Sequence, residues 1–146
     1  MKTITVQNDY PVCARRLWAL ATDYAALREV MAGLVSFEGL PDGRTRTGQR
    51  LEVKVSLFGR LPAQPYRIDV LECDDQAMIL RSSEQGAGVK RWLHTLTVIE
   101  TEAGSRLQDR IEIDAGLLTP VFALWAGYLY RARHQPRLRL LESGRY

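Results

Sequence analysis

The chain has 146 residues, a length that one hydrophobic core can serve, with 46% hydrophobic and 25% charged residues. That balance excludes a disordered chain, and no long uncharged apolar run offers a membrane-spanning helix, so no stable membrane insertion is expected. The formal net charge is only +3, and the two cysteines, Cys13 and Cys73, lack CxxC spacing and a disulfide framework, which points to buried or half-buried thiols.

In chain order, residues 3–7 alternate, with Ile4 and Val6 on one face, and read as a first strand that Asn8-Asp9-Tyr10-Pro11 ends. Pro11 suits the first turn of a helix, and Cys13, Leu17, Leu20, Ala21 and Tyr24 follow at helical spacing. Asp23 can cap a second short helix over residues 24–31, with Gly33 as its stop signal. The N-terminus itself alternates instead of placing a basic stretch before an apolar block, so a cytoplasmic location is expected.

From there strand follows strand. Residues 35–40 run into the turn Pro41-Asp42-Gly43. Residues 49–57 put Leu51, Val53, Val55 and Leu57 on one face, and residues 64–72 do the same with Tyr66, Ile68 and Val70. Residues 77–83 form a fifth strand whose polar second half brings Arg81 or Ser82 to positions that are apolar on the preceding strands. Residues 89–100 and 105–114 are the two longest strands. A two-residue Ala103-Gly104 loop between them sets Leu96 opposite Ile111, His94 opposite Ile113 and Val98 opposite Asp109. One face then carries Trp92, His94, Leu96 and Val98 with Leu107, Asp109, Ile111 and Ile113, while Arg106, Gln108, Arg110 and Glu112 turn to water.

Residues 117–141 read as one long helix in which Leu118, Phe122, Trp125, Leu129 and Ala132 face the sheet. Pro136 removes a helical hydrogen bond and predicts a kink or frayed turn between Ala132 and Pro136. Arg131, Arg133, Arg137, Arg139 and Arg145 crowd this end and read as a solvated face; with so small a net charge no nucleic-acid partner is expected. The pattern is α+β: a curved antiparallel sheet of about seven strands wrapped around a long C-terminal helix, with two short helices after the first strand and residues 1–146 in one ligand-binding domain.

The order of elements, together with W-L-H-T-L at residues 92–96, A-G-S-R-L-Q-D-R-I-E-I at residues 103–113 and the Tyr-Arg-Ala-Arg-rich helix, resembles the helix-grip fold of the START-like (SRPBCC) superfamily, in its polyketide cyclase/dehydrase and ligand-binding branch. The resemblance spans essentially the whole chain. It implies a cavity for a lipid, quinone or polyketide-like molecule between sheet and helix, and in a minority of members cyclisation or dehydration of the bound compound.

His94 and Asp109 are the candidate catalytic pair, since an imidazole and a carboxylate on an apolar inward face are costly unless bonded or useful. In the register above they lie four residues out of step, roughly 10 Å or more apart, too far for a direct dyad. Aspartate bonded to backbone or to a helix tyrosine, and a ligand-orienting histidine, are therefore expected. Trp92, Phe122, Trp125 and Tyr66 are candidate ligand-stacking residues, with Tyr128 and Tyr130 beside them; Leu96, Ile111 and Leu129 complete the apolar wall, and Arg81 with Ser82 or Ser83 could meet a ligand's carboxylate or hydroxyl. Nucleophile-elbow, zinc-protease, phosphate-loop and dinucleotide motifs are all absent, so neither a metal nor a cofactor is expected. The expected partner is a small apolar molecule.

Overall fold

The computed structural model describes all residues from Met1 to Tyr146. Strand β1 (Lys2–Tyr10) leads into helices α1 (Ala14–Ala21) and α2 (Tyr24–Val30). Then come β2 (Val35–Glu38), β3 (Arg50–Leu57), β4 (Gln64–Asp74), β5 (Ile79–Gly86), β6 (Val89–Thr101) and β7 (Gly104–Asp114). A 3-10 turn (Gly116–Leu118) precedes α3 (Thr119–Ala132) and α4 (His134–Glu142). The strands make one antiparallel 7-stranded sheet in the order β1-β7-β6-β5-β4-β3-β2, so the first two strands of the chain are its two edges. This is the helix-grip architecture expected from the sequence pattern.

Period-two alternation produces the inner face. On β6 Trp92, His94, Leu96 and Val98 are buried, and on β7 Ser105, Leu107, Asp109, Ile111 and Ile113. Two apolar clusters divide this face. One gathers Leu17, Trp18, Leu96, Val98 and Leu107 with Leu140 and Leu141 of α4; the other gathers Trp92, Ile111 and Ile113 with Ala126, Leu129 and Tyr130 of α3. His94 and Asp109 fall where the clusters meet.

Several local expectations are corrected. β1 continues through Asn8-Asp9-Tyr10, which pair with Leu107, Arg106 and Ser105 instead of ending the strand. The Asp9 to Arg106 ion pair at 2.7 Å, across the exposed face, helps keep that end in register. Pro11 lies before α1, and Cys13 sits at that helix's N-cap position, exposed and without a side-chain capping bond, whereas Cys73 is half-buried. Asp23 caps α2 as expected, its Oδ1 accepting the Ala25 N–H at 3.1 Å. The C-terminal helix starts at Thr119 and breaks at Arg133, which leaves Pro136 in the first turn of α4, where its missing N–H costs least. Leu118, expected against the sheet, is instead more than half exposed in the 3-10 turn.

The β6–β7 register also differs. Thr101 pairs with Gly104, so the loop is Glu102-Ala103 and the ladder is displaced by two residues: His94 faces Ile111, and Leu96 faces Asp109. Gly104 is needed inside the strand. A Cβ there would lie 2.2 Å from the Tyr10 carbonyl oxygen and 2.9 Å from the Val12 N, where the chain leaving β1 crosses the hairpin. Gly104→Ala is expected to destabilise the fold by about 2 kcal/mol through backbone overpacking, read by urea denaturation; a loss under about 0.5 kcal/mol would show that the crossing yields freely.

Candidate functional site

α3 approaches the sheet through small residues. Its buried face is Thr119, Ala123, Ala126, Gly127, Leu129 and Tyr130, and it packs on β1 and β7. Because the helix sits toward that edge, the concave surface over β2 to β5 is left uncovered. The result is an apolar cleft of about 370 Å³, of whose 16 lining residues 14 are hydrophobic. Val35, Phe37, Val55, Leu57 and Tyr66 form the sheet side, and Phe122, Trp125 and Leu129 the helix side. It was expected to be enclosed; it opens to the surface along α3, where Val121 is exposed and Trp125 meets Phe58 edge-on at 5.5 Å and stacks on the exposed Tyr128 at 5.9 Å.

Beyond a partition made by Phe37, Glu84, Tyr130 and Arg133, which border both spaces, lies a smaller pocket of about 110 Å³. It reaches toward α1, α2 and α4, and Ser82, His94, Leu96 and Arg137 line it. Antiparallel pairing sets Ser82 directly across from His94. The Ser82 hydroxyl donates to Glu84 Oε2 at 3.0 Å and the Tyr66 hydroxyl to Glu84 Oε1 at 2.9 Å, so both oxygens of that carboxylate are engaged. Burial and then the Glu84 charge push the Tyr66 phenol well up, and burial does the same to Tyr130. Both phenols stay protonated through the physiological range, with the Tyr66 proton already given to Glu84.

His94 and Asp109 are in direct contact, Nε2 to Oδ1 at 2.6 Å, with Asp109 fully buried behind the imidazole. This overturns the expected separation of 10 Å or more. In the observed ladder the two are diagonal neighbours, two residues out of step, and diagonal side chains on one sheet face can touch. Arg137 of α4 adds a second cation, with Nη1 3.9 Å from Asp109 Oδ2. Burial alone would raise the Asp109 pKa; the His94 hydrogen bond, and then the charges of His94, Arg137 and Arg133, outweigh it and hold the carboxyl below its ordinary range. An ionised carboxylate can only accept, so His94 Nε2–H donates to Asp109, and Nδ1 is the ring nitrogen left for the pocket. The ring packs on Tyr130 at 4.9 Å.

The chain matches a domain of unknown function, DUF8410, over residues 11–141. It belongs to the DUF8410 family. A protein of Chromobacterium violaceum superposes on the DUF8410 chain with a TM-score of 0.77 at 15% identity, over 97% of this chain and 99% of its own. A START superfamily protein of Mycobacterium smegmatis gives 0.68 at 10% identity, over 97% of each chain. DynU16, a protein of the dynemicin biosynthetic locus, gives 0.66 at 18% identity over 97% of this chain and 48% of its own. No curated protein matches. These likenesses establish for the DUF8410 chain the START-like helix-grip fold that the sequence resemblance implied.

Of the residues singled out in the sequence, Tyr66, Trp92, Phe122, Trp125 and Leu129 border the apolar cleft, and His94 and Leu96 the smaller pocket. Asp109 touches His94 but borders neither space, and Ile111, fully buried opposite His94, is core packing. Arg81 is a correction. The parity of β5 turns it to the outer face, half exposed and 3.9 Å from Glu72, while its neighbour Ser82 points inward. The larger correction concerns the C-terminal arginines: Arg133 and Arg137 are 8% and 3% exposed rather than solvated, and only Arg131, Arg139 and Arg145 turn outward. Their spacing carried the signal, because 122, 126, 129, 133 and 137 form one continuous helical stripe. Glu84 was also missed; its place two residues after Ser82, on the same strand face, could have shown it.

Because Asp109 has a lowered folded pKa, its contribution to stability is complete above its unfolded pKa of about 3.9 and is lost as pH falls through the folded value. Wild type is therefore expected to lose stability below about pH 4, and Asp109→Asn to start about 2 kcal/mol lower and respond less to that acidification. Asp109→Leu, which strands Arg137, should cost about 3–5 kcal/mol at neutral pH. Thermal unfolding from pH 3 to 7 checks this, and equal costs for the two variants would show that the buried charge is not what matters.

Proposed function

We propose that this DUF8410 protein binds a small, mainly apolar molecule, of lipid, quinone or polyketide-like character, in the cleft between the sheet and α3. The observation that carries this reading is the cleft itself: about 370 Å³ of apolar-walled space between the sheet and α3. Its walls suit an apolar body, and the polar groups converge at one end only, where Tyr66, Glu84, His94 and Arg133 would orient a head group. The START superfamily neighbour and the protein from a biosynthetic locus support a ligand-handling role by analogy of fold.

The 2.6 Å contact between His94 and Asp109 favours a second reading, a cyclase or dehydratase acting on a carbonyl compound that reaches past the partition into the smaller pocket. With Nε2–H committed to Asp109, Nδ1 is a general base directed toward the pocket, and Asp109 would stabilise the imidazolium formed when that base takes a proton. Asp109 itself, behind the ring, would be a positioning residue.

Titration with a short-chain quinone or Nile red is expected to quench Trp92 and Trp125 fluorescence saturably. Val55→Phe, which fills the cleft from β3, should weaken that binding at least tenfold with the fold intact, about 1.4 kcal/mol. A flat response across a broad apolar panel would remove the binding reading. His94→Gln and Asp109→Asn are expected to keep affinity within about threefold; if they also abolish turnover of an identified substrate, the enzyme reading is the right one.

A further inference from the structure

Arg133 occupies the break between α3 and α4 and is 8% exposed, yet its guanidinium makes no hydrogen bond and no ion pair, and its Nε is buried without an acceptor. The other charges nearby have partners of some kind: Asp109 bonds His94 and lies 3.9 Å from Arg137, although Asp109 Oδ2 and Arg137 Nη1 make no hydrogen bond, and Glu84 accepts from the neutral hydroxyls of Tyr66 and Ser82. What Arg133 has is the ring of Tyr130, with Cζ 4.1 Å from the centroid. A cation over an aromatic face is partly compensated, but the ring supplies no lone-pair acceptor, and the N–H edges of the guanidinium are left without a hydrogen bond. Those edges belong to a residue that borders both the apolar cleft and the smaller pocket. The charge is felt from that central position at Tyr66, Tyr130 and Asp109 alike.

We propose that the ligand is an amphipathic carboxylate, its apolar body in the cleft and its carboxylate paired with the N–H fork of Arg133. This inference rests on the binding reading above and narrows it to a chemical class. Three features favour an anion over a neutral head group. An unpaired buried cation is costly, so an arriving negative charge removes a penalty that a hydroxyl or ketone would relieve only in part. The planar fork matches two carboxylate oxygens. The Tyr130 phenol, kept protonated by burial, is a neighbour that brings no negative charge, and Glu84, the one acidic group on the partition, already has both oxygens accepting from Tyr66 and Ser82. An acyl chain and a fused aromatic acid would both present this head group.

The test compares acid and ester. Wild type is titrated with cis-parinaric acid and its methyl ester, and with 2-naphthoic acid and its methyl ester, at neutral pH. The acid of at least one pair is expected to bind at least tenfold more tightly than its ester, and the pair that shows the preference tells an acyl body from an aromatic one. Arg133→Gln should bring acid and ester to within about threefold by weakening the acid alone, and Arg133→Lys, which keeps charge without the fork, should fall between. Equal binding of acid and ester by wild type in both pairs, or a preference that survives in Arg133→Gln, overturns the proposal and leaves the apolar cleft reading standing. If none of the four compounds binds, the binding reading falls and the proposal with it. The wild-type comparison decides the matter even where Arg133→Gln does not fold.

Discussion

Asp109 carries a negative charge at a point of β7 with no exposed surface, and the elements around it are arranged to compensate that charge. A buried carboxylate left alone would be protonated or would destabilise the fold. β6 brings His94 against one oxygen, and α4, packed on α1 and α2, brings Arg137 toward the other. The location of α4 depends in turn on the break at Arg133, which redirects the chain after α3. One buried charge thus couples the middle of the sheet to the far half of the C-terminal helix, across the seam between the two apolar clusters.

Much of this architecture was legible, for a simple reason. Parity along a strand and stripe spacing along a helix depend on local geometry, so the inner faces of β3, β6 and β7 and the break ahead of Pro136 could be read directly. Register depends on a loop two residues long, and there the sequence offered two answers of equal parity. A glycine beside an alanine suggested an Ala103-Gly104 turn, but Gly104 serves the strand, where the backbone of Tyr10 and Val12 passes too close for any side chain. A displacement of two residues keeps every side chain on its face, so the fold is insensitive to it. The site is not: it is the difference between two separated polar residues and a His94–Asp109 contact of 2.6 Å.

The arginines were misread for a different reason. Arginine is usually exposed, and five of them near one end of the chain suggest a wet surface. Arg133 and Arg137 nevertheless continue the stripe of Phe122, Ala126 and Leu129, and position overrides residue type once a buried anion or an unfilled polar space lies opposite. Arg137 has the opposite charge of Asp109 at 3.9 Å, without a hydrogen bond between them. Arg133 has no such partner within the protein, which makes it the place where the physical accounting of the interior is left open and where a ligand has most to contribute.

The cleft exists because of what α3 lacks. Ala123 and Ala126 let the helix lie close to β1 and β7, and a helix drawn toward one edge of a curved sheet cannot also fill the hollow over β2 to β5. Larger side chains at these positions would lift the helix toward the middle and spread its packing over the whole concave face. As built, Val55, Leu57, Phe122 and Leu129 forgo the dispersion contacts that a filled interior would supply. The stability lost in this way is regained only when something apolar occupies the space, so the same small residues that weaken the empty protein set the affinity available to an occupant. In the proposed complex the two halves of the molecule would contribute separately: the uncovered sheet would supply most of the binding free energy, and the unpaired guanidinium at its inner end would supply direction, deciding which end of an elongated ligand enters first.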